Sequence, residues 1–258
     1  MPREQVKRRR RRGTWTAAAI LGVGAIAVPA GGSDLAVERG RVLTVIGSVQ
    51  DVDLALHPLA AEPGLGFVQN VGDATATSLR LHFTVEDSPD NDASWGIQVK
   101  DADGKAVWST WAAQVGRGGF WSDEIEGKQA KVEVYSVRPA NPVRLSIDKI
   151  AVRKPKTTPL SITGVNQLAP IGAQASWIVD LGRSVARVRF EGDDGGSYVC
   201  TAFLVTPELM LTNQHCIATQ SELESALIDF DYDLDTAKPE TLRVSELLQT
   251  DFGLDYAL

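Results

Sequence analysis

Apolar and polar residues alternate along much of the chain with the period of a half-buried β-strand. Leu79, Leu81, Phe83 and Val85 are separated by Arg80, His82 and Thr84, which turns one face of the segment to a core and the other to water. Trp95, Ile97 and Val99 repeat the pattern, and DADG at 101–104 predicts a hairpin turn into Ala106–Trp111. GRGG at 116–119 breaks the chain before Phe120 and Trp121. Val132 and Val134 then alternate with Lys131, Glu133 and Tyr135, and Val143, Leu145 and Ile147 with Arg144, Ser146 and Asp148. Short strands between turns, with no helical period, predict a β-sandwich or jelly roll. Residues 35–65 carry no clear period.

RKPKTTPLSIT at 153–163 has two prolines, three threonines and no periodicity, the character of an exposed, cleavable linker. Strand signals resume from Ser176, with Val185, Val188 and Phe190 on either side of arginines and EGDDGGS at 191–197 as a turn. Ala202 to Val205 and Leu209 to Leu211 are two apolar runs separated by TPE, a strand–turn–strand unit. In the earlier block His57 and His82 stand alone and read as solvated surface. The acids at 86–92 lack the ligand order of a calcium loop and read as a turn. Trp95, Trp108, Trp111 and Trp121 suit an aromatic core or a carbohydrate groove equally.

The ends of the chain change this picture. Residues 1–12 hold Arg3, Lys7 and Arg8 to Arg12 against Glu4, and an Ala-rich apolar run, TWTAAAILGVGAIAVPA, follows at 14–30. A cationic start, a short apolar run and a small residue at its end describe a secretory signal peptide. The expected organisation is a signal peptide at 1–30, a β-sandwich at 31–152, a linker at 153–175 and a second β domain at 176–258. Export predicts a secreted protein, extracellular or periplasmic, without stable membrane insertion after cleavage. The net charge is −7 despite the basic start, so the body is acidic, which excludes nonspecific nucleic-acid binding. Outside the cytoplasm the two cysteines, Cys200 and Cys216, are expected to pair, tying the start of one strand to the end of the next.

CTAFLVTPELMLTNQHC, residues 200–216, resembles the histidine segment of chymotrypsin-like (trypsin-fold) serine peptidases, where a strand, a turn and an L-T-x-x-H-C ending carry the catalytic base. Its Asn-containing form is similar to bacterial secreted members, including the glutamyl-endopeptidase-like branch. The resemblance covers roughly residues 176–258 and implies the partial first β-barrel of such a peptidase. It makes His215 the general base and implies a later aspartate followed by small and apolar residues. LDYAL supplies Asp255, whose implied role is to hold the histidine tautomer. Asp229, Asp231, Asp233 and Asp235 fall in an acidic run that suits a solvated face, and Asp251 lacks the Ala-Leu continuation.

No G-D-S-G-G type loop follows His215, and Ser197 in DDGGS precedes it in the wrong order. The chain is therefore expected to be an N-terminal fragment of a longer product, inactive alone because it lacks the nucleophile. Implied substrates are proteins or peptides, with neither metal nor organic cofactor. The sandwich would be an accessory or pro-domain, with a partner or polymer as its ligand. The alternative is a noncatalytic secreted binding protein carrying a relic peptidase half.

Overall fold

The computed structural model describes residues 35–38, 41–56, 64–86, 95–115, 118–136, 144–154, 169–232 and 239–258. The expected signal peptide, His57, the acids at 87–92, Val143, residues 155–168 of the linker, Asp233 and Asp235 lie outside the described residues.

The chain is all-β, as its alternation predicts. Its strands are β1 (Leu35–Glu38), β2 (Arg41–Leu56), β3 (Gly64–Gly72), β4 (Ser78–Glu86), β5 (Trp95–Lys100), β6 (Ala106–Trp111), β7 (Gly118–Trp121), β8 (Ile125–Glu126), β9 (Gln129–Ser136) and β10 (Arg144–Arg153). After the expected linker come β11 (Val185–Glu191), β12 (Gly196–Leu204), β13 (Met210–Leu211), β14 (Leu227–Phe230), β15 (Glu240–Leu242), β16 (Thr250–Asp251) and β17 (Tyr256–Ala257), with short helices α1 (Ser176–Gly182) and α2 (Gln220–Ser225). One antiparallel sheet runs β15-β14-β11-β12-β2-β10-β4-β7, with β1 on β2, β13 on β12 and β8 on β4; a second runs β3-β9-β5-β6. The predicted turns form where glycine supplies a left-handed backbone, at Gly104 (φ 82°) and Gly195 (φ 82°).

The apolar positions of the first block make one core between two sheet faces. Leu79, Leu81 and Phe83 of β4 and Ile147 and Val152 of β10 meet Ile97 and Val99 of β5 and Val132 and Val134 of β9. This is a sandwich, closed because each strand offers every second side chain to the same layer. Trp95 is in that core, and Trp108 stacks on Phe83 with centroids 5.7 Å apart. Trp111 is exposed and lies across Gly96, where a side chain would meet its ring at 2.5 Å.

Beyond β2 the large sheet curls into an antiparallel half-barrel. Its concave side packs Ala186, Val188 and Phe190 of β11 against Tyr198 and Ala202 of β12, Ile217, Leu223 and Ile228. The arginines between them, Arg187 and Arg189, point the other way onto Asp229. The segment from Ser176 is a helix rather than a strand, because Trp177, Ile178 and Val179 are consecutive apolar residues with no period of two. Helix α2 was unexpected, although TQSE at 219–222 has the T-x-x-E pattern of a helix start. Thr219 Oγ1 accepts from the Glu222 N–H at 3.1 Å, and Glu222 Oε2 from the Ala218 N–H at 2.8 Å.

Strand β2 belongs to both cores. Leu43 at its start packs in the half-barrel and Leu56 at its end packs in the sandwich. At the crossing Gly47 pairs with Ser197 of β12 on one side and Arg153 of β10 on the other.

A candidate active site at the edge of the half-barrel

His215 is held from both sides of the chain. Before it, Thr212 exchanges backbone hydrogen bonds with Ala257 at 3.0 and 2.8 Å, which fastens the end of β13 to β17. The Asn213 carbonyl then accepts from the N–H groups of Cys216 and Ile217 at 3.0 and 3.2 Å, closing a turn with His215 inside it. After it, Cys216 is bonded to Cys200 of β12 with Cα atoms 6.1 Å apart, as the sequence predicts, and Cys216 and Ile217 are buried in the half-barrel core. The imidazole itself is about one-third exposed, at 35%.

Asp255 reaches that ring from the opposite hairpin. It ends the turn between β16 and β17 in the left-handed region (φ 52°), which aspartate tolerates better than most residues. Its Oδ2 lies 2.7 Å and its Oδ1 3.0 Å from His215 Nδ1, and Oδ1 also accepts the His215 backbone N–H at 3.0 Å. Asn213 Nδ2 donates to Asp255 Oδ2 at 3.1 Å and to the Asp255 carbonyl at 3.2 Å. The His215 backbone N–H is the largest cause holding the Asp255 carboxyl below its ordinary value; partial desolvation opposes it, and the His215 ring and Asn213 add to the lowering. In neutral His215 this carboxylate selects the tautomer protonated on Nδ1, leaving Nε2 as the basic nitrogen. That is the chemistry of a general base with an orienting acid.

The other candidates are placed elsewhere. Asp229 is not on a solvated face. It is fully buried and accepts from Arg187 at 3.0 Å, from Arg189 at 2.7 and 2.9 Å and from Thr241 at 2.8 Å. The alternation of β14 sends it outward, where the two arginines of β11 cover it. Asp251 accepts the Leu254 N–H of its own turn at 2.8 Å. Ser197 is buried and donates to Glu191, far in role from a nucleophile. His82 is not isolated, since its Nδ1 lies 2.6 Å from Asp148 and its ring covers Gly119 beside Trp121. Asp148 sits at a β-bulge in β10, and nothing in strand alternation announces that pairing. Cys200, His215 and Cys216 bring potential metal ligands within 4.8 Å of one another, but the disulfide leaves no thiolate for a cation.

Sequence reasoning also missed a buried ionic cluster. Arg80 of β4 and Arg153 of β10 meet Glu191 of β11 at 2.9 and 2.7 Å, and Arg80 also donates to the Ser225 carbonyl at 2.7 Å. Burial opposes the charge on Glu191, yet the two guanidiniums hold its carboxyl below the ordinary range. Only the placement of Arg80 and Arg153 beside apolar strand positions hinted at it. No family model, curated protein or solved structure matches this chain.

Proposed function

We propose that the chain carries the base-and-orienter half of an exported serine endopeptidase. The observation that carries this reading is the Asp255 carboxylate bonded to both Nδ1 and the backbone N–H of His215. The half-barrel sheet, compatible with a trypsin-like fold, supports it. In the reaction His215 Nε2 takes the proton of a serine hydroxyl as that oxygen attacks a peptide carbonyl. Asp255 stabilises the imidazolium, and His215 returns the proton to the leaving amine before water hydrolyses the acyl-enzyme. No G-D-S-G-G type loop, which would supply that serine and the oxyanion hole on which most of the rate depends, lies between His215 and Leu258. This segment alone is therefore expected to show no peptide or ester turnover above buffer and no labelling by a serine-directed fluorophosphonate.

The test is the reading frame beyond codon 258. A frame encoding a GDSGG-type loop, expressed and assayed, should give a peptidase that His215→Ala abolishes and Asp255→Asn slows by about 10⁴-fold. An early stop codon, or turnover that survives His215→Ala, overturns the reading. The early stop would favour a secreted binding protein, for which the exposed Trp111 on the outer face of the sandwich is the supporting feature.

A further inference from the structure

Asn213 ties the turn that carries His215 to Asp255. Its main-chain carbonyl closes the turn that carries His215, and its side-chain amide bridges the carbonyl and the carboxylate of Asp255. The other hydrogen bonds to that carboxylate among the described residues come from His215 itself. The backbone N–H of His215 holds Oδ1 alone, so when the ring moves Oδ2, the oxygen nearest Nδ1, keeps only the Asn213 amide. The carboxylate is also open to competition, because the Asp255 side chain is 42% exposed, and water offers donors for every lone pair. A donor anchored in the β13 turn and bonded at two points fixes both the backbone at Asp255 and the rotation of its carboxylate.

We infer that Asn213 is a positioning residue, an amide clamp that holds Asp255 in its left-handed conformation with the carboxylate aligned on His215 Nδ1. This rests on the peptidase reading for its consequence in catalysis, but the clamp itself is a property of the present chain. The adjacent Thr212 side chain does something different, donating to the Thr201 carbonyl at 2.8 Å and so fastening β13 to β12.

The experiment is proton NMR of the 258-residue chain with ¹⁵N-labelled histidine, in which three histidines keep the spectrum resolvable. In the wild type the His215 Nδ1–H proton should appear downfield of the amides and exchange slowly. Asn213→Ala should speed its exchange about tenfold, the scale of one lost hydrogen bond. Asn213→Asp, which keeps the shape but has no amide donor and adds a second carboxylate, should do at least as much. Gln214→Ala should leave the signal unchanged, and the Cys200–Cys216 disulfide, mapped in each variant, reports that the turn has folded. In the extended reading frame Asn213→Ala should lower kcat about tenfold with KM unchanged. Wild-type exchange in both Asn213 variants overturns the clamp, and in particular an unchanged signal in Asn213→Asp makes the side chain a spacer. Failure of the extended frame to turn over substrate, with the exchange effect present, overturns the peptidase reading and leaves the clamp standing.

Discussion

Glu133 lies on the outer face of β9, between the core residues Val132 and Val134, yet only 3% of its side chain is exposed. Lys100 and Lys131 approach it at 2.7 and 2.8 Å and the Tyr135 hydroxyl donates to it at 2.6 Å. Those hydrogen bonds, that of Lys100 first, pull its carboxyl down to about 2 from 4.5, and the same contact pushes Tyr135 up. A depressed folded value means the carboxylate contributes stability in full above about pH 4.5, and that contribution is lost as the pH falls towards about 2. Carbon-detected titration should place the Glu133 midpoint well below that of an ordinary glutamate, and Glu133→Gln should flatten the acid limb of stability in the same window. A midpoint at 4.5 or above would remove this account. The alternation of β9 makes Glu133 an outward position; only the cross-strand register, with Gln98 and Val68 beside it and the Lys100–Lys131 pair two residues along, makes it a covered one.

At the scale of elements, β2 shows how far a periodic pattern can be read. Its first half lies over one core and its second half over another, so no single alternation runs through it, and residues 35–65 look unpatterned in sequence. Gly47 marks the change. A Cβ there would stand 2.3 Å from the Val152 carbonyl oxygen, a backbone atom that cannot turn aside as a side chain would. Gly47→Ala is expected to destabilise the protein by about 1–3 kcal/mol, the usual cost of overpacking, seen as a lower urea midpoint. A wild-type midpoint would mean that the strands part there at no cost. The strands β4, β5 and β9 were legible because each buries one face against one partner layer. Helix α2 was legible in principle from its T-x-x-E start, whereas α1, with no buried residue, has no amphipathic pattern to read.

Across the whole molecule the same long strand joins what the sequence divides. β2 precedes the expected linker and β12 follows it, yet Tyr198 and Val199 pair with Val45 and Thr44 in one sheet. Arg153, the first residue of the predicted linker, is the last of β10 and is buried against Glu191. The contacts group Ser33–Leu258 as one compact unit. A protease site engineered within 155–168 and cut to completion should therefore yield two pieces that co-elute on size exclusion until denaturant is added. Glu191→Ala should let them separate, because it leaves two buried guanidiniums without their carboxylate, a loss of about 3–5 kcal/mol for such a pair. Separation of the cut wild type would show that the sandwich is detachable, as an accessory or pro-domain would be.

The sequence by itself determined the all-β class, the sandwich strands, the two glycine turns, the Cys200–Cys216 bridge and the identity of the His215–Asp255 pair. All but the last are written locally, in alternation, in turn chemistry or in a short motif; the His215–Asp255 pair, 40 positions apart, was implied by the resemblance of LTNQHC and LDYAL to the peptidase family. Tertiary structure alone decided that Asp229 is a buried anchor for two arginines, that His82 has an acid beside it, that Arg80, Arg153 and Glu191 share one buried site, and that Asn213 reaches across to Asp255. Those pairings join residues dozens of positions apart, on strands whose neighbours are set by register and bulge. A polar position in an alternating strand says only which face it is on. What covers that face is decided by the sheet that packs or pairs beside it, and that information is spread over the whole chain.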